Sequence, residues 1–104
     1  MKLWVLHDYG EHEETIAKTT SLEDIENLMQ QLNWNQFHQV ILEKRNGNLM
    51  EVGGSFEDGL AVVYRENDET FVITNPPKTV EEMTYFLRLY FDGDTEYKTK
   101  HKFE

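Results

Sequence analysis

Asn46-Gly47 is the strongest short turn signal in the chain, and what flanks it limits the fold more than any other feature. A two-residue type I′ turn needs φ above zero at both central positions, and Asn-Gly meets that need at little steric cost. Gln39 to Arg45 before it and Asn48 to Val52 after it are rich in β-formers, so the pair predicts a β-hairpin. Gly53-Gly54 then marks a bulge or tight turn at a strand end. Leu60 to Glu66 and Thr70 to Asn75 predict a second hairpin around Asn67-Asp68. Four strands this close in sequence predict an antiparallel meander.

The segments on either side add helices and further strands. Leu3 to Tyr9 reads as a strand, and the acidic loop opening at Glu11 leads to a possible second strand ending near Lys18. Ser21 and Asp24 approximate a capping box, after which Leu22, Ile25, Leu28, Met29 and Leu32 share one helical face. Asn33-Trp34-Asn35 ends that helix. Pro76-Pro77 breaks the sheet, Thr79 and Glu82 form a T-x-x-E box, and Val80, Met83, Leu87, Tyr90 and Phe91 face one way up to a glycine stop at Gly93. The tail alternates: Tyr97, Thr99, His101 and Phe103 against Lys98, Lys100 and Lys102, which predicts a final edge strand with a solvated lysine face. The expected fold is therefore a single α+β domain, residues 1–104: a curved antiparallel sheet of about five to seven strands with two helices on one face.

Charge limits the partners. The chain carries 20 acidic and 10 basic residues, a formal net charge of −10. Such a surface repels nucleic acid and anionic membrane and attracts basic proteins, although acidity also serves plain solubility. There is no cysteine, so disulfides and thiolate metal sites are excluded. The apolar run at Met1 to Asp8 is too short for a signal peptide, and the longest apolar run, Leu60 to Tyr64, is too short to span a membrane. A cytoplasmic location is the expectation.

No motif carries recognisable chemistry. His7, Asp8, Glu11 and His12 match no metal-ligand spacing. Asp92-Gly93-Asp94-Thr95-Glu96 opens like a calcium loop, but position six is Tyr97 and position twelve is Phe103. Gly53-Gly54-Ser55-Phe56-Glu57 lacks the second glycine of a nucleophile elbow. No glycine-rich phosphate cradle occurs. Tyr97 and Phe103 interleave with three lysines, a weak nucleic-acid signal on so acidic a chain. No catalytic residue, cofactor or metal is expected.

The order and spacing from the first helix onward resemble immunity protein family one of bacterial polymorphic toxin systems. The residues that carry the resemblance are the strand Leu49-Met50-Glu51-Val52 ending in Gly53-Gly54, then Leu60-Ala61-Val62-Val63-Tyr64 with its partner Thr70-Phe71-Val72-Ile73-Thr74. After the prolines comes a helix ending Tyr85-Phe86-Leu87-Arg88-Leu89-Tyr90-Phe91-Asp92-Gly93. It covers roughly Ser21 to Glu104, with Phe103 near the place where the family tends to put a tryptophan. The resemblance implies a cytoplasmic antidote, not an enzyme, that binds a cognate toxin domain and blocks it. That toxin would be a nucleic-acid deaminase, a nuclease or another effector delivered between bacteria.

The expected mechanism is occlusion of the toxin active site, with opposite charge steering the encounter. Glu57, Asp58, Asp92, Asp94 and Glu96 are the expected acidic contacts; Trp34 and Phe37, which flank the end of the first helix, read as core or rim residues, and Trp34 is a candidate aromatic anchor if it is exposed. Two rival classes stay open: an acidic adaptor or assembly subunit, and a small hydrolase or metal-dependent enzyme with an unrecognised site.

Overall fold

The computed structural model describes residues 1–104. Strands β1 (Lys2–His7), β2 (His12–Ala17), β3 (His38–Glu43), β4 (Leu49–Ser55), β5 (Gly59–Glu66) and β6 (Glu69–Val72) form one antiparallel sheet in the order β2-β1-β3-β4-β5-β6. Helix α1 (Leu22–Gln31) links β2 to β3, and α2 (Val80–Asp92) follows β6. The expected α+β architecture is present, with six strands and both long helices against the same face. Alternation explains which face. Leu3 and Val5, Val40 and Leu42, Met50 and Val52, and Leu60, Val62 and Tyr64 all point inward, joining Ile25, Leu28 and Met29 of α1 and Met83, Phe86, Leu87 and Tyr90 of α2 in one core.

The helix ends follow local chemistry. The Ser21 hydroxyl accepts from the Asp24 N–H while the Asp24 carboxylate accepts from the Ser21 N–H, a complete capping box. At α2 the box is half made. Thr79 Oγ1 accepts from the Glu82 N–H, but the Glu82 carboxylate reaches past Thr79 to the Lys78 N–H. Gly93 closes α2 at φ +74, its N–H shared by the carbonyls of Leu89 and Tyr90.

The turn chemistry departs from expectation in an instructive way. Asn67 (φ +52) and Asp68 (φ +67) both sit left-handed between the paired Glu66 and Glu69, so the two-residue type I′ geometry lies there. At the other hairpin only Gly47 is left-handed (φ +91), and its N–H donates to the Lys44 carbonyl while the Lys44 N–H donates to Asn48. That loop is a type I-like turn followed by a glycine bulge, and the Asn46 side chain accepts from the Asn48 N–H instead of taking a left-handed backbone. Gly53-Gly54 does not end β4, which runs on to Ser55. Added Cβ atoms show why glycine is needed: at Gly53 one would stand 2.8 Å from the His38 carbonyl oxygen, and at Gly54 2.0 Å from the Gly59 carbonyl oxygen.

The tail corrects a second expectation. Residues Tyr97–Lys100 form a short helix, α3, not a strand. An alternation over so few residues cannot separate period two from one helical turn. Tyr97 is buried among Tyr64, Tyr90 and Phe103, so the helix plugs the core. The lysines are paired, not merely solvated: Lys98 with Glu66, Lys100 with Glu96 and Lys102 with Glu104. Only the last residues extend the sheet, where Val72 and Glu104 exchange both backbone hydrogen bonds and Ile73 bridges Phe103.

Candidate functional site

The outer face of the sheet has no helix over it. Backbone pairing sets its side chains in rows. One row runs Trp4, Ile41, Glu51, Val63, Val72 across β1, β3, β4, β5 and β6. The next holds Leu6, Gln39, Gly53 and Ala61, and on the other side stand Lys2, Glu43, Leu49, Arg65 and Thr70. Ile41 is only 1% exposed although it is outside the core, so its neighbours on this face lie over it, whereas Val72 at the rim is 46% exposed. A lysine ammonium, Lys2 Nζ, sits 5.2 Å from the centroid of the Trp4 ring, and the Trp4 indole N–H has no acceptor. Glu51 is the one charge in the apolar row, and Gln39 Nε2 donates to one of its oxygens at 3.1 Å.

One end of this face is built from three loops. Asp8, Tyr9 and Gly10 are all left-handed, with φ of +50, +60 and +91. The two non-glycine residues store strain of roughly 1–2 kcal/mol each. What holds them is visible. Tyr9 stacks on Phe37 with centroids 4.3 Å apart, and its hydroxyl donates to Asp58 at 2.7 Å. That bond, ahead of a small burial effect, raises the Tyr9 pKa above its usual value. Ser55 Oγ donates to the same carboxylate oxygen and accepts from the Asp58 N–H, which fixes the β4–β5 loop. The result is an exposed aromatic rim, Tyr9 70% and Phe56 56% exposed, ringed by Glu57 and Asp58.

The expected acidic contacts thus fall into two groups. Glu57 and Asp58 are exposed at the aromatic end, before the first residue of β5. Asp92 ends α2, and Asp94 and Glu96 follow it, towards Glu66 at the last residue of β5, about 24 Å away along the strand. Glu96 is already engaged, accepting from the Tyr85 hydroxyl at 2.8 Å and from Lys100, and the Lys100 contact leads in lowering its pKa. Trp34 is corrected outright as an anchor. It is 3% exposed, its indole N–H donates to the Met29 carbonyl, and its own carbonyl accepts from the Phe56 N–H. It ties the end of α1 to the β4–β5 loop, so it supports the rim from beneath.

Two of the four histidines, His38 and His7, form a hydrogen-bonded chain that runs on to Glu14. His38 Nε2 stands 3.0 Å from the Asn33 carbonyl, which can only accept, so that nitrogen carries the proton. Burial lowers the His38 pKa, and the neutral ring offers bare Nδ1 to the Nδ1–H of His7 at 2.8 Å. The other His7 nitrogen faces Glu14 at 3.2 Å. His101 shares a 300 Å³ depression with Glu82, but that carboxylate is occupied by the Lys78 N–H. His101 packs on Phe86 with centroids 4.8 Å apart.

Sequence reasoning missed Trp4, Ile41, Val63, Tyr9 and Glu51. A signal for the first three was present. Leu3-Trp4-Val5-Leu6 and Val40-Ile41-Leu42 are apolar on both faces of their strands, although the helices can cover only one. The comparisons add no constraint: no family model, no curated protein and no solved structure matches the chain.

Proposed function

We propose that the protein is a non-catalytic inhibitor, an immunity protein that binds a basic toxin domain in the cytoplasm and covers its active site. The observation that carries this reading is the uncovered sheet face, an apolar row that leads to an aromatic and acidic rim. An apolar row that no helix covers, half-buried at Trp4 and Val63 and exposed at Val72, Tyr9 and Phe56 along its edge, is the kind of surface on which a partner docks. Aromatics at its edge supply large contact area at low entropic cost, while carboxylates around them complement a basic cleft. Toxins that act on nucleic acid need such clefts to hold phosphates. The resemblance to immunity protein family one supplies the toxin class, a deaminase or nuclease.

The test is affinity capture with the intact chain, identification of the bound protein, and expression of that protein in cells with and without this chain. The expected result is a basic domain that stops growth alone and loses that effect when the chain is co-expressed. A captured protein that is harmless in cells, or whose toxicity survives stoichiometric binding, contradicts the reading and favours an adaptor role.

A further inference from the structure

Covering the open face takes Glu51 out of water. Its row neighbours are Ile41 on one side and Val63 on the other, and only one of its oxygens has a partner within the chain. A buried carboxylate without a counter-charge costs several kcal/mol, so any stable partner must bring a cation to this point. Beside Glu51 lies a shallow groove of about 130 Å³. Its floor has almost no side chains, being Gly53, Gly59 and Ala61, and Phe37 and Asp58 stand at its far end. That volume suits one side chain, well below the ~300 Å³ of the smallest ordinary ligand pockets.

We propose, building on the binder reading, that this groove seats one arginine of the partner, its guanidinium set between Glu51 and Asp58 and its stem lying along the glycine floor beside Phe37. Arginine suits the place better than lysine. Its planar fork pairs with two carboxylates at once, and it packs on aromatic rings. A second copy of this chain is the wrong occupant. A two-fold contact centred on the face would set Glu51 against Glu51, between chains that each carry a net charge of −10. The same carboxylate thus admits a basic partner and keeps the apolar row from pairing with itself.

The probe is the peptide acetyl-Val-Arg-Val-amide, with its citrulline counterpart as the uncharged control of equal shape, titrated into isotope-labelled protein by NMR. The expected shifts centre on the backbone amides of Gly53, Gly54, Gly59 and Ala61. The citrulline peptide should bind roughly tenfold more weakly, in line with loss of a charge-assisted pair. Glu51→Gln should erase that difference without moving the thermal midpoint, and Asp58→Asn should reduce it. Shifts spread evenly over all carboxylates, including Asp92 and Asp94, would overturn the proposal, as would Glu51→Gln binding like wild type. A wild-type dimer in sedimentation that Val63→Asp dissolves would also overturn it, since the face would then belong to a second copy. A toxin captured and neutralised equally well by Glu51→Gln removes the arginine seat and leaves the inhibitor reading standing.

Discussion

The two faces of the sheet use the same strands for opposite ends. On the covered face Val40, Leu42, Met50, Val52 and Val62 are at most 0% exposed and lie against two helices. On the open face their chain neighbours Ile41, Leu49, Ala61 and Val63 have no helix over them and stand among polar residues, Ile41 and Val63 on either side of Glu51 and Leu49 between Glu43 and Arg65. Burial on the first face drives folding. On the second, Ile41 is covered by its neighbours, and the half-buried Leu49, Ala61 and Val63 leave only part of their apolar area in water. Such area is kept where something else comes to cover it. On the proposed reading, Glu51 in its centre would make the open face selective for a basic partner.

Substitutions should separate the faces by size of effect. Leu87→Ala, on the fully buried face of α2, should lower stability by about 2–5 kcal/mol. Val63→Ser, on the open face, should cost about 1 kcal/mol or less by strand propensity. Urea unfolding of both variants checks this, and equal losses would break the distinction between the faces. A smaller contrast lies in the glycines. Gly54→Ala places a Cβ against a backbone oxygen at φ +117 and should cost about 3 kcal/mol, whereas Gly47→Ala meets nothing within 4 Å and should cost only about 1–2 kcal/mol of left-handed strain. If the two unfold alike, the close approach of β4 to the start of β5 is wrong.

The smallest effect is a pH dependence on the covered side. His38 has a folded pKa below its ordinary value of 6.5, first because of burial. The unfolded chain therefore binds the proton more readily. The contribution from neutral His38 is complete above 6.5 and is lost as pH falls below that value toward the folded pKa. Unfolding midpoints measured downward from pH 7 should fall, and His38→Gln should flatten that part of the profile. An unchanged slope in the variant would assign the loss to other groups.

What the sequence revealed and what it hid divide along physical lines. Local rules were legible: the Ser21–Asp24 box, the Thr79 cap, the Gly93 stop and two hairpins depend on residues a few positions apart. Features set by distant contacts were not. Asn46-Gly47 has the better type I′ sequence, yet that geometry appears at Asn67-Asp68, where the tight pairing of β5 with β6 demands a two-residue loop. Tyr97 looked like a strand residue because its burial under Tyr64 and Tyr90 comes from tertiary packing. Trp34 was open between core and anchor because nothing local shows that α1 and the β4–β5 loop close over it. Of the acidic contacts expected for the site, Glu57 and Asp58 stand at the aromatic rim, while Asp92, Asp94 and Glu96 lie at the far end of β5. The rim itself depends on a strained turn at Asp8–Gly10 meeting Phe37 and Asp58, a meeting no local pattern encodes.

The central claim is that the open face binds the partner and the helix side does not. The most direct measurement compares two charge-matched variants against the partner captured by the intact chain: Val63→Asp on the open face and Gln30→Asp on the exposed side of α1. Both are first confirmed folded at the assay temperature, and equilibrium affinity is then measured at fixed salt. Val63→Asp should weaken binding by about a hundredfold, as expected when an anionic group enters a desolvated contact, while Gln30→Asp should stay within about twofold of wild type. Equal losses in the two variants, or a larger loss at Gln30, would contradict the account and place the interface on the helices.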